Sequence, residues 1–114
     1  MIKVILPHKI SLNKLYTSHW SKKHAMKKDY RIAVKEALGD KMKPLTGCVK
    51  MKYDYYLKGR LLDWDNCTAM TKILQDILVE EGIHQDDTSK FIRGGMQTVQ
   101  KSKESYAYVE IKQI

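Results

Sequence analysis

Two aspartates spaced two apart, Asp63 and Asp65, stand in the run Asp63-Trp64-Asp65-Asn66, and a second acidic pair, Asp86-Asp87, lies further on. Seven of the 13 Asp and Glu residues fall between Asp63 and Asp87, although the chain carries 21 Lys and Arg and a net charge of +8. Carboxylates crowded together repel, and some resist ionising unless a cation is shared among them. Mg²⁺ takes oxygen ligands and keeps several waters, so two or three carboxylates suffice to hold it. Bound to a phosphodiester, such a cation polarises a phosphoryl oxygen and generates hydroxide. If residues 61–65 end a strand, Asp63 and Asp65 leave the same face with Cα atoms about 7 Å apart. The competing reading is a helix N-cap with a favourable negative charge at the helix start. One Asp meets that need; two and an Asn favour the cation.

After Asp65 the pattern turns helical to about residue 81, with Cys67, Met70, Ile73, Leu74, Ile77 and Leu78 on one face and Gly82 as the stop. At about 100° per residue, Asp65, Ala69, Lys72 and Asp76 share a stripe beside that face. Lys72 could then stabilise charge developing on a phosphate, or simply pair with Asp76 at i,i+4. A helix over 66–81 is about 24 Å long. The residues after it reach back at most about 16 Å. If the flanking strands are parallel, Asp86-Asp87 starts at the opposite end of the sheet from Asp65. The two acidic groups can meet across a two-fold homodimer, in which antiparallel copies of the helix build two composite sites.

The elements that must position these residues follow from patterning. Residues 2–6 read as a short strand stopped by Pro7, and 7–13 as a loop. A helix is expected over about 22–38, capped by Ser21, with Met26, Tyr30, Ala33, Val34, Ala37 and Leu38 facing inward. Residues 40–47 connect it to a strand in which Val49, Met51, Tyr53, Tyr55 and Leu57 alternate with a mainly basic face. Strands over about 90–100 and 105–113 complete the chain, the first marked by Gly94-Gly95 as a bulge or close backbone approach. The expected order is βαβαββ: a single α+β domain over 1–114, with a mixed sheet packed against two helices.

Composition bounds the function. The chain has no long apolar run and no secretory leader, so no membrane partner and a cytoplasmic location are expected. Cys48 and Cys67 form no CxxC pair and read as reduced small hydrophobes. The four histidines show no metal-ligand spacing. Residues 1–60 hold 15 Lys and Arg against 4 Asp and Glu, whereas 61–114 hold 6 against 9. The basic half suits a polyanion, or is a solvated surface that aids solubility. Lys14, Tyr16, His19 and Trp20 mix base and aromatic character, as phosphate contact and stacking require; core packing is the other use for Trp20.

The ordered set Asp63-x-Asp65-Asn66, a helix bearing Lys72 and Asp76, Gly82 and then Asp86-Asp87 resembles the RusA family of Holliday-junction resolvases. Leu6-Pro7 followed by Ser11-Leu12-Asn13 and His19-Trp20 resembles that family's opening. The resemblance implies a Mg²⁺-dependent homodimer, with Mn²⁺ as the alternative ion, that cuts four-way DNA junctions by paired nicks without a nucleotide cofactor. It implies metal ligands at Asp63, Asp65 and Asp87, with Asp86 adjacent, and a functional lysine at Lys72. The family places that lysine where Ala69 stands here. Asn13, Lys14, His19, Trp20, Lys58 and Arg60 are expected DNA contacts. A non-enzymatic basic DNA-binding module, or a nuclease acting on flaps or other branched DNA, are the alternatives.

Overall fold

The computed structural model describes residues 1–39, 44–83 and 92–114. Strand β2 (Val49–Lys58) carries the clearest sequence signal, and it is realised: Val49, Met51, Tyr53, Tyr55 and Leu57 are buried while the intervening residues are half-buried or exposed. Around it the sheet runs β1 (Ile2–Ile5), β4 (Tyr106–Gln113), β2, β3 (Ile92–Ser102). β4 is antiparallel to both neighbours, and β2 and β3 are parallel. A parallel pair needs a crossover. Helix α3 (Thr68–Glu80) supplies it, preceded by a 3-10 turn over Trp64–Cys67.

Two further helices precede β2. Helix α2 (Trp20–Leu38) buries Met26, Tyr30, Val34 and Leu38 against β1 and α3. It starts earlier than the expected residue 22, because the His19 side chain, not Ser21, is the cap, accepting the Ser21 N–H at Nδ1. Helix α1 (Leu12–Thr17) lies partly where a loop was expected. Ser11 accepts the Lys14 N–H through its hydroxyl and so starts a helix that Pro7 and Asn13 had obscured. The chain is therefore a single-domain α+β fold, with three helices rather than two among the described residues, in the order βααβαββ.

Helices and sheet meet over one core that includes Val4, Ile10, Tyr30, Tyr55, Met70 and Leu74. Two glycines have definite work. Gly59 takes φ +76° and turns the chain off the end of β2. Gly95 lies so close to the Met51 carbonyl that a Cβ would stand 2.5 Å from its oxygen, and the β2–β3 register shifts between Val49 and Lys50. The Gly94-Gly95 signal thus marks both a bulge and a close approach. Among the described residues no helix is long and apolar enough to cross a membrane.

Candidate functional site

The stretch carrying Asp63 and Asp65 is not a strand end. β2 stops at Lys58, and Asp63 is the extended residue (φ −60°, ψ 150°) that leads into the 3-10 turn. The same-face argument from strand geometry therefore fails; the positive-φ Gly59 ends the pleat five residues too soon. Both aspartates are nevertheless exposed. The cap reading fares no better, since Asp63 makes no side-chain cap hydrogen bond and α3 itself is entered through Cys67. Neither aspartate forms an ion pair with a described residue. Both carboxylates act on one buried thiol: Cys67 is pushed up to about 11 by burial first and then by the charges of Asp65 and Asp63.

Trp64, between the two aspartates, fixes the turn to the sheet. Its indole Nε1 donates to the Gln97 carbonyl at 2.5 Å, and the Gln97 Nε2 donates to the Trp64 carbonyl at 2.7 Å. Gln97 is held in turn by the Thr71 hydroxyl (2.6 Å), and Thr71 by the Tyr55 hydroxyl (2.6 Å) from the sheet core. Asn66 ties the turn to the N-terminal segment, its Oδ1 accepting the Leu12 N–H at 3.2 Å. Lys9 closes the far side by donating to the Lys58 and Arg60 carbonyls at 3.0 and 2.6 Å. Lys9, Arg60, Leu61, Leu62, Asp63 and Asn66 line a cleft of about 270 Å³.

The expected site residues are thus only partly brought together. Asp63 and Arg60 share a cleft, Asp65 follows on the same turn, and Asn13 and Lys14 sit on α1, whose first N–H is bound by Asn66. Lys14 is near His8, whose imidazole is held below its usual range by burial and by the Lys14 charge. Lys58 and Arg60 are exposed at the end of β2 and in the loop after it. Trp20 is 67 % exposed, which rules out core packing; it forms its own cluster with His19 and His24, at ring separations of 5.7 and 5.6 Å.

Lys72 lies elsewhere. It pairs with Asp76 at 3.0 Å and lines a groove with Tyr16, Lys23 and Lys27, formed by all three helices. The stripe expected to join it to Asp65 does not exist as one open face: Ala69 is fully buried. The 3-10 turn, with about three residues per turn, puts Asp65 out of angular phase with α3. The acidic cluster is also divided. Glu80 and Glu81 bind Lys27 and Arg31 on α2, with Glu80–Arg31 at 2.6 Å and Glu81–Arg31 at 3.1 Å. They serve helix packing, not a cation.

Among the described residues, no three His, Cys, Asp or Glu groups are placed to hold a metal ion. Asp86, Asp87 and His84 lie outside the described residues. Asp63 and Asp65 alone offer oxygen donors in an exposed turn, a donor set that fits a hard, mostly hydrated cation. Sequence reasoning did not find Lys9, Thr71 or Gln97, because their roles rest on partners more than 20 residues away. No protein-family model matches the chain, and no curated protein does.

Proposed function

We propose that the chain is a RusA-like, structure-selective endonuclease that nicks four-way DNA junctions as a Mg²⁺-dependent homodimer. The observation that carries this reading is the contrast among the acids of the central segment. Asp76, Glu80 and Glu81 are each ion-paired, while Asp63 and Asp65 stand exposed on a braced turn with no such pair among the described residues, in a chain of charge +8. In a basic protein, two neighbouring exposed carboxylates with no ion pair among the described residues suit a cation held between protein and phosphate.

Asp63 and Asp65 would hold the Mg²⁺, which when bound supplies Lewis-acid activation of the phosphodiester and of water. Arg60, which lines the cleft with Asp63, would meet a phosphate oxygen, and Lys14 and Asn13 on α1 would extend the contact. The Trp64–Gln97–Thr71–Tyr55 chain keeps the turn from shifting as the charged substrate arrives. Lys72, held by Asp76 away from the cleft, contributes to the electrostatic approach of DNA. On this reading Asp87, with Asp86 adjacent, would complete the ligand set from the second copy.

The test is cleavage of a synthetic four-way junction, beside flap and linear DNA, with and without Mg²⁺. Asp63→Asn and Asp65→Asn should abolish cleavage and keep junction binding, or tighten it as carboxylate repulsion is removed. Cleavage that survives both substitutions removes this site. Mg²⁺-dependent cutting of flaps in preference to junctions would keep the site and change the substrate.

A further inference from the structure

Among the described residues, the helices pack on one face of the sheet and leave the other uncovered. The buried side chains of β2 point to the helices, so the alternate residues point away from them. Register places Lys50, Lys52, Asp54, Tyr56 and Lys58 on this open face, beside Tyr106, Tyr108, Glu110 and Lys112 of β4 and Lys3 of β1. Two features of the face are not explained by packing.

The first is an aromatic stack. Tyr56 and Tyr106 are register partners on adjacent strands, and their rings lie parallel, 4.7 Å apart and 9° from coplanar. Tyr108 meets both edge-on at 5.8 and 5.5 Å, which fixes their orientation. The Lys3 ammonium lies 4.3 Å from the Tyr106 centroid and caps that end. The other end, at Tyr56, turns towards β3, where the register partner is Gln100, not a ring. The stack is therefore capped by a cation on one side, and on the other no ring among the described residues continues it, only the exposed Gln100.

The second is a basic groove on the same face, further down the strands. Lys50, Lys52, Arg93 and Lys112, with one acid, Glu110, and Met96, line a cavity of about 510 Å³ that also borders Gly94-Gly95. Arg93 is the extra residue of the bulge, which aims it there. A Cβ on Gly94 would meet no atom within 4 Å, so the missing side chain leaves the groove open. Lys52 is shared with Asp54 at 3.6 Å; Lys50, Arg93 and Lys112 make no ion pair with a described residue. From Tyr56 to Lys50 the strand rises about 20 Å, the span of several nucleotides.

We propose that this open face binds single-stranded nucleic acid, with an unpaired base stacking on Tyr56 and the phosphates running into the groove of Lys50, Arg93 and Lys112. Rings that accept any base and lysines that follow the backbone are the two components of sequence-tolerant single-strand binding. A four-stranded sheet presenting aromatic residues is a known platform for it. Charge selects this occupant over a second copy of the chain. Two such faces related by a two-fold would set Lys3, Lys50, Lys52, Lys58 and Lys112 of each against the same set, with only Asp54 and Glu110 to offset them. This inference does not depend on the nuclease reading, since the face excludes Asp63 and Asp65.

The experiment uses the full chain carrying Asp65→Asn, so that no probe is cut, and a short fluorescent oligothymidylate read by anisotropy across a salt series. Tyr56→Ala should weaken binding about tenfold, and Tyr56→Phe, which keeps the ring, should restore it. The double variant Lys50→Gln/Lys112→Gln, on the solvent side, should lower the slope of log K against log salt by about 1.4. Unchanged affinity in Tyr56→Ala together with an unchanged slope in the lysine variant overturns the proposal. So does a Tyr56→Ala chain that sediments as a smaller species while binding the oligonucleotide as before, which would make the face an interface between copies. Should Tyr56→Ala fail to fold, the lysine variant decides alone. Loss of junction cleavage in Asp63→Asn leaves this result untouched, and the reverse holds.

Discussion

Trp64 and Gln97 hold each other by two reciprocal hydrogen bonds, indole to backbone carbonyl and side-chain amide to backbone carbonyl. β3 is an edge strand, and this pair both occupies an outward carbonyl of the edge and fixes the turn that carries Asp63 and Asp65. Gln97→Ala removes one donor to Trp64 and the acceptor of Thr71, and should cost about 1 kcal/mol. Trp64→Phe removes only the indole donor and should cost less. Urea midpoints with unchanged m-values check both.

Asn66 binds Leu12 through its side-chain oxygen. Asn66→Ala leaves the first N–H of α1 without its side-chain acceptor and should lose about 1 kcal/mol. Asn66→Asp keeps an oxygen at that position and should retain most of the stability. Hydrogen exchange at the Leu12 amide reads the contact directly: faster exchange in Asn66→Ala and near-native exchange in Asn66→Asp are expected.

If each site draws Asp65 from one copy and Asp87 from the other, two inactive variants should complement. Mixing Asp65→Asn with Asp87→Asn chains leaves one intact composite site per mixed dimer, so junction nicking should return on one strand. A mixture as inactive as its parents would place all ligands within one chain.

Buried proton donors make the fold sensitive to alkali. Cys67 is raised from about 9 to about 11 by burial and by Asp65 and Asp63, while Tyr30, Tyr53 and Tyr55 are raised above the usual phenol range, in each case chiefly by burial. Each folded pKa exceeds its unfolded value, so the folded state keeps protons that the unfolded chain has released. The stability from these groups is complete below about pH 9 and falls as pH rises through the folded values. Thermal midpoints should hold up to about pH 8 and decline above pH 9; Cys67→Ala should remove the earliest part of that decline.

The α2–α3 contact is electrostatic at its rim. Hydrogen bonds from Lys27 and Arg31 hold the Glu80 carboxyl below its usual range. Because Glu80 is 43 % exposed, solvent screens the pair. Glu80→Gln should cost under about 1 kcal/mol, and the difference from the unsubstituted chain should shrink in molar salt. An unchanged difference in salt would mean that packing, not charge, is what the substitution disturbs.

Period-two and helical patterns made β2, β4, α2 and α3 legible, because each has one buried side that shows in sequence as Val49-to-Leu57, Ala107-Val109, Met26-to-Leu38 or Met70-to-Leu78. The β2–β3 parallel pairing followed from α3 as a crossover. Helix α1 was hidden because its six residues include no buried one. The turn at Asp63 was misread because Leu61 and Leu62 look like strand, whereas Leu61 is exposed and Gly59 has already turned the chain. The loss of Glu80 and Glu81 from the acidic group could not be seen, since their partners lie about 50 residues away on α2.

The sheet order also sets a sequence of events in synthesis. β1 is an edge strand whose sheet neighbour is β4, with Ile2 opposite Val109 and Val4 opposite Ala107. β1 can take its sheet place only once β4 has been made. The contacts of Lys9 with Lys58 and Arg60 need only residues made before β4, whereas the pairing of β1 needs β4 itself. The turn that carries the candidate carboxylates is thus braced from Lys9 and Leu12 early and from Gln97 late, so a nascent chain halted before β3 would hold both aspartates on a turn secured from one side only.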